Sequence, residues 1–432
     1  MSSPDQLPAL TEACVPPTVL GTAALAALAF RGVGYSALME HVARCGTEAA
    51  APGYDRAIAC ELSFSREQAL ALQRQALDHG TLYRVAGQPA GGRQLRMLAL
   101  VAPGDLMVNT PLDFVTAHAD IRLDLLYLLP GQKLPAAIPE HDVAFFAVSE
   151  ADEEAQARLC HLFHAWPRPA LNDPSHLDVL TRDALPRRLA GVPGVCSPPA
   201  VVVSRERAAG GALPDGGYPM LIRPLHSHAG SGLALLDDTP GLVDYLLLNG
   251  GPAFVLTPFV DYRSADGLFR KYRVAFIERR PFLCHMAISS HWMVHYLNAG
   301  MAESPEKRAE EARAMAGFDQ GFGHRHAGAL AAVAAALGFD YCSIDCGETP
   351  DGRLLVFEAD TAAIIHLLDS PTLHPYKPPQ MRLVFDAFAA MTRSAAESGR
   401  SSPCAASLAV MSANALRAAP DATGTFRRRH AS

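Results

Sequence analysis

The sequence predicts a multidomain protein of the α/β (α+β) class that opens with a helical segment. Three observations predict it. The 432 residues exceed what one hydrophobic core organises, because cores stop growing near ~250–300 residues. The first ~90 residues are Ala-rich with apolar positions spaced as on a helix, as in Leu25, Leu28 and Ala29 and again in Leu62, Ala69 and Leu72. From Leu95 onward, short apolar runs alternate with turn-rich stretches, the mark of strands in an α/β domain.

Taken in order, residues 1–92 form the helical N-terminal extension and carry no recognisable chemistry. Their most apolar run, VLGTAALAALAF at 19–30, is far shorter than the ~20 residues that cross a bilayer, so it reads as a buried helix. Asp5 and Glu12 precede it where a secretory signal would be basic, and the expected location is the cytoplasm. Residues 93–172 form a small α/β domain, with strands at 95–101, 121–129 and 143–148 and a helix at 151–166. The connector PRPALNDP marks a boundary near 172. A third domain, 173–393, holds a helix around 177–189 and short strands at 220–223, 253–257, 271–277 and 282–288. An Ala-rich helix at 328–337 and two last strands at 341–346 and 354–360 complete it. Residues 394–432 are rich in Ser, Ala and Arg and are expected to be a poorly ordered tail.

The segment YCSIDCGETPDGRLLVFEAD, residues 341–360, carries the most chemistry. Two apolar strands flank an Asp-Gly turn signal. If Asp351 and Gly352 form a two-residue turn, pairing outward sets Asp345 opposite Glu358, with the carboxylates ~5 Å apart. Side chains alternate along a strand, so Asp360 shares the face of Glu358. Three acids crowded on apolar strands call for a cation, and all-oxygen ligands favour Mg²⁺. The alternative is a solvated hairpin whose acids decorate the surface. Cys342 and Cys346 would share the opposite face with Ile344 and read as core thiols.

In YPMLIRPLHSHAGSGL, residues 218–233, a strand ending in Arg223 leads into a small-residue loop with Ser227, Gly230, Ser231 and Gly232. Glycine lets backbone N–H groups approach phosphate oxygens, and a guanidinium at the strand end offsets their charge. An ordinary hairpin loop fits the same residues. The loop matches neither a Walker A nor a Rossmann fingerprint.

In order along the chain, these segments resemble the ATP-grasp superfamily, specifically its RimK-like carboxylate-amine ligases and related proteins that carry helical repeats. IRPLHSHAGSGL resembles the family's phosphate loop, LTPFVDY its adenine hinge, KYRVAFI its arginine-bearing strand and IDCGETPDGRLLVFEAD its metal-binding hairpin. The resemblance implies an ATP-grasp fold with an N-terminal α/β lobe. By it, Arg223 and Ser227 would contact the phosphates of ATP and Gly230, Ser231 and Gly232 would close over them. Thr257, Phe259 and Val260 would receive adenine, with Asp261 near the ribose. Asp345, Glu358 and Asp360 would hold Mg²⁺, Arg273 would stabilise transferred charge, and Asn298, following Trp292 and His295, would touch phosphate or substrate. Arg273 read blandly is a surface strand arginine, and His295 is equally a structural residue. Four positions depart from the pattern: Arg223 stands for lysine, Asp360 for asparagine, Ala184 for a phosphate-contacting lysine that Arg182 or Arg187 would replace, and Pro258 for a hinge acid.

The implied activity joins an acid and an amine, small-molecule or peptide, with release of ADP and phosphate. Rival readings are a grasp-fold kinase acting on a hydroxyl and a catalytically silent docking module. Hydrophobic residues at 49%, charged residues at 19% and a net charge of −7 with scattered Lys and Arg point to a folded protein without a nucleic-acid face. No membrane partner is expected, and the resemblance allows a homodimer. Nine cysteines without a Cys-x-x-Cys pair indicate neither a disulfide framework nor a zinc site.

Overall fold

The apolar runs assemble into three larger sheets in the computed structural model, which describes residues 7–87, 94–211, 217–225, 227 and 230–399. The first sheet has six strands in the order Thr18–Val19, Leu82–Val85, Ile121–Tyr127, Leu95–Val101, Val143–Phe146 and Ala170–Leu171. Its centre is parallel, and Met97 to Leu100 and Val143 to Phe146 are buried throughout, as parallel strands covered on both faces require. The helices Thr22–Phe30, Tyr35–Arg44, Tyr54–Leu62 and Arg66–His79 run between Thr18–Val19 and Leu82–Val85, which pair in parallel. The helical segment is thereby built into the sheet of the following α/β domain. Buried Asp55 fixes its entry by accepting the N–H groups of Leu20 at 2.9 Å and Gly21 at 3.1 Å.

The second sheet has five strands in the order Arg280–Ser289, Phe269–Ile277, Tyr341–Glu348, Leu354–Asp360 and Val195–Cys196. Cys342, Ile344 and Cys346 are buried on one of its faces, and burial pushes both thiols up. The third sheet is a four-stranded antiparallel sheet in the order Val201–Ser204, Ala253–Pro258, Met220–Pro224 and Ala234–Leu236, covered by the helix Thr239–Leu248.

Two cores divide this architecture unequally. The six- and five-stranded sheets share one, wedged together by the helix Lys377–Ser398: Phe388 lies 5.1 Å from the ring of Tyr341 and 6.0 Å from that of Phe145. That helix continues past residue 393, and the tail from residue 400 lies outside the described residues. The four-stranded lobe has its own core of Val203, Met220, Ile222, Leu242, Phe254 and Leu256 among others. Because the cores are separate, this lobe can move as a body without breaking either. Among the described residues no helix is long and apolar enough to cross a membrane.

Asn172 latches the first two sheets together. Its N–H donates to Asp340 at 2.7 Å, its amide donates to the Tyr341 carbonyl at 2.9 Å, and its side-chain oxygen accepts from the Tyr341 N–H at 2.8 Å. Its φ of 61° is left-handed, where asparagine is tolerated better than most side chains. Asn172→Ala strands two buried backbone groups at 1–3 kcal/mol each, so a loss of about 3 kcal/mol is expected in urea denaturation.

Candidate active site

The hairpin that carries the acids reaches the expected pairing by an unexpected route. The turn is one residue longer than a two-residue Asp-Gly turn: Thr349 pairs with Arg353 around Pro350, Asp351 and Gly352, and Gly352 takes the left-handed φ of 81°. Glu348 consequently faces Leu354, one step out of the simple register. A bulge at Phe357 inserts an extra residue and restores the offset, so Asp345 stands opposite Glu358 and Asp360 opposite Ser343. Phe357 turns onto Tyr262, with ring centroids 5.0 Å apart.

The neighbouring strands add cations to the same face. Arg273 pairs across to Asp345 on one side and His285 on the other, and Lys271 precedes it by one full alternation. Asp345 is only 3% exposed; its oxygens accept from Arg273 Nε at 2.8 Å, from Arg273 Nη2 at 3.0 Å and from Lys271 Nζ at 2.8 Å. Burial alone would raise its pKa, but Arg273 and Lys271 hold the carboxyl far below the usual range. Glu358 is more open and meets Arg182 Nη1 at 3.1 Å. Asp360 is pushed up to about 7 by burial and by the charges of Glu358 and Asp345, against the N–H of Ala362 at 2.6 Å. His285 is held neutral by burial and by the Arg273 charge.

These three carboxylates share a face but do not enclose an ion: among the described residues no group of three His, Cys, Asp or Glu side chains is placed to hold a metal. Asp345 spends its oxygens on Lys271 and Arg273. Glu358 and Asp360 have the oxygen chemistry a divalent cation needs, and burial of Asp360 beside the Glu358 and Asp345 charges disfavours its anionic form.

The four-stranded lobe brings its arginine and glycines to the same cleft. Arg223 donates from Nε to Ser227 Oγ at 2.9 Å and from Nη2 to the Ser227 carbonyl. Burial and neighbouring Arg182 push its pKa down to about 10, while the charge of Glu358 opposes them. Gly230 and Gly232 take left-handed φ of 75° and 65°. A Cβ on Gly230 would lie 2.6 Å from His295 Nε2, and one on Gly232 2.7 Å from Pro224 Cδ. The loop is thus seated against the 291–298 segment, and Tyr245 anchors it through the Gly232 carbonyl at 2.6 Å. Ser231 is exposed at its tip.

The remaining expected positions make local contacts of their own or none. The Phe259 N–H is used by the Pro219 carbonyl at 3.0 Å, and the Thr257 hydroxyl donates to the Pro199 carbonyl at 2.9 Å. Val260 is half-buried, and Asp261 is engaged by Arg263 at 2.9 Å and 3.0 Å. Asn298 is exposed on the short turn Tyr296–Asn298, and among the described residues its side chain makes no hydrogen bond. Of the two arginines offered in place of a lysine at 184, Arg182 reaches Glu358, whereas Arg187 turns back to Asp183 at 2.8 Å. Sequence reading passed over Lys271 and His285. Lys271 was legible two residues before Arg273 in KYRVAFI, but His285 needed the strand pairing.

Comparison with known proteins gives structural likeness only. No family model matches the chain, and no curated protein matches it. Among solved structures, a RimK domain ATP-grasp protein from Sphaerobacter thermophilus is 17% identical, with a TM-score of 0.39, covering 68% of this chain and 99% of that one. The VanG D-Ala:D-Ser ligase from Enterococcus faecalis is 11% identical, with a TM-score of 0.43, covering 69% of this chain and 100% of that one. The D-alanine–D-alanine ligase from Bacillus anthracis complexed with ATP is 11% identical, with a TM-score of 0.39, covering 70% of this chain and 96% of that one. At these identities and scores, the functional reading rests on the chain's own residues.

Proposed function

We propose that this chain is an ATP-grasp carboxylate-amine ligase of the ADP-forming kind, with 173–393 as the grasp domain. One observation carries the reading. Lys271, Arg273, Asp345, Glu358 and Asp360 share one sheet face beneath Arg223 and a glycine loop that belong to a separately cored lobe. Cations at the strand centres, acids opposite them and a movable loop above are what a triphosphate and its counterion require.

ATP would lie between the four- and five-stranded sheets, with adenine at 257–260 and its phosphates toward Arg223 and the loop. Arg223 keeps the charge that lysine usually supplies there and adds a second donor direction. Glu358 and Asp360 would hold magnesium, joined by Asp345 once the phosphates take over Lys271 and Arg273; the ion's contribution is to neutralise phosphate charge. The γ-phosphoryl group passes to an oxygen of the acid substrate and ADP leaves. The amine nitrogen then attacks the acyl carbon, phosphate departs and the nitrogen gives up a proton. Lys271 and Arg273 offset the charge on the transferred group and on the tetrahedral oxyanion. Seating of the glycine loop against His295 excludes water from the acyl phosphate.

The loop geometry makes a separate prediction. Gly232→Ala must strain a φ of 65° and displace Pro224, so ATP affinity should fall about tenfold in calorimetry, with a modest fall in melting temperature. Hydroxylamine tests the reaction class. Acyl hydroxamate formed from an acid in the presence of MgATP supports the ligase; a phosphorylated hydroxyl compound without hydroxamate would establish a grasp-fold kinase instead.

A further inference from the structure

A second concave site lies in the N-terminal lobe, between the helices Tyr54–Leu62 and Arg66–His79 and the face of the six-stranded sheet at Leu123, Leu125 and Val101. It is a cavity of about 100 Å³. Its walls are chiefly apolar, from Ile58, Leu70, Val85 and Leu106 among others, and Tyr54 and Tyr127 add aromatic surface. The two tyrosine hydroxyls satisfy each other at 3.1 Å.

The charge of the lining has one sign. Glu61, Asp105 and Asp113 line the cavity, and among the described residues no Lys, Arg or His does. Asp105 is already paired with Arg66 at the rim, at 2.8 Å, and Asp113 accepts the Ala23 N–H at 2.7 Å. Glu61 is left with the backbone N–H of Leu106 and with the more distant Arg66, and burial together with the Asp105 charge raises its pKa. Independently, Thr110 lines the same cavity, is only 4% exposed, and its hydroxyl has no partner among the described residues. Buried hydroxyls are rarely left orphaned, since an unmet group costs about 1–3 kcal/mol.

We propose that this cavity binds a small primary amine in its ammonium form, with the nitrogen between Glu61 and Thr110 and a short alkyl body against Ile58, Leu70 and Leu106. The ammonium supplies three donors, enough for the carboxylate and the orphaned hydroxyl, and the tyrosine rings favour a cation over a neutral group. A carboxylate of the same size would meet three acids and, among the described residues, no lining base. The site is distinct from the cleft of the grasp lobes and stands or falls independently of the ligase reading. It is nevertheless joined to it: Asn109 bridges to Val148, and Ser149 accepts from the Thr361 hydroxyl at 2.8 Å, one residue after Asp360.

The test is thermal denaturation of the full chain titrated with n-butylammonium chloride, 1-butanol or sodium butyrate at millimolar concentration and constant ionic strength. The expected result is a saturable rise in melting temperature with the ammonium alone. Glu61→Gln, which is isosteric, should weaken the apparent affinity about tenfold or more, as loss of a charge-assisted hydrogen bond does, and Thr110→Val should weaken it less. The proposal is overturned if the ammonium leaves wild type unmoved, if butanol or butyrate acts as strongly, or if both variants respond as wild type does.

Discussion

Arg273→Met is expected to lower ATP-dependent turnover by on the order of 10²–10³, the usual effect of removing one preorganised charge from a developing oxyanion. The same change should destabilise the fold. Asp345 is buried and accepts from both Arg273 and Lys271; without Arg273 it keeps one cation for a carboxylate that water does not reach. Breaking a buried pair by removing one partner costs about 3–5 kcal/mol, and Lys271 should hold the loss near the lower end. The two effects separate in the double variant Arg273→Met, Asp345→Asn, which removes the uncompensated charge. Denaturation should show most of the stability recovered, and a steady-state assay should show turnover still lost. Turnover of Arg273→Met equal to that of wild type would mean that Arg273 serves only to neutralise Asp345.

The second large effect concerns stability alone. Lys377 is 3% exposed, with Nζ 3.0 Å from Asp369, 3.6 Å from Glu311 and 3.9 Å from the centre of the Tyr296 ring. Glu311 is fully buried and also accepts from Tyr296 at 2.7 Å, from Tyr376 at 2.6 Å and from the Met286 N–H at 3.1 Å. The network ties the last helix and the 291–298 segment to the strand that carries His285. Lys377→Met keeps the stem's apolar contacts and removes the charge, leaving two acids uncompensated, so a loss of about 3–5 kcal/mol is expected in urea denaturation. Adding Glu311→Gln to Lys377→Met should recover part of it. A single variant as stable as wild type would mean that water reaches this network.

Longer apolar runs bounded by turn-rich stretches were legible from sequence: the structure has Leu95–Val101 and Leu354–Asp360 at the expected bounds. Two-residue strands such as Thr18–Val19 and Ala170–Leu171 have no period to read, which is why the helical segment looked like an addition ahead of the sheet rather than a part of it. The facing of Asp345 and Glu358 was inferred from a turn that is one residue too short, and the bulge at Phe357 compensates; neither departure leaves a sequence signal. Motif reading named Arg273 but not Lys271, although both lie on one strand face, because it weighted one residue type over the alternation. It left Arg182 and Arg187 as equals, since only the placement of the chain before Ala184 decides which one reaches Glu358.

The central claim is that the acidic hairpin and the cations beside it form a site for ATP with magnesium. Isothermal titration calorimetry of MgATP tests it most directly, comparing wild type with Asp345→Asn, Glu358→Gln. Magnesium-dependent binding to wild type that the double variant loses, with both proteins folded by circular dichroism, is the predicted result; a folded wild type that binds no MgATP would contradict the account.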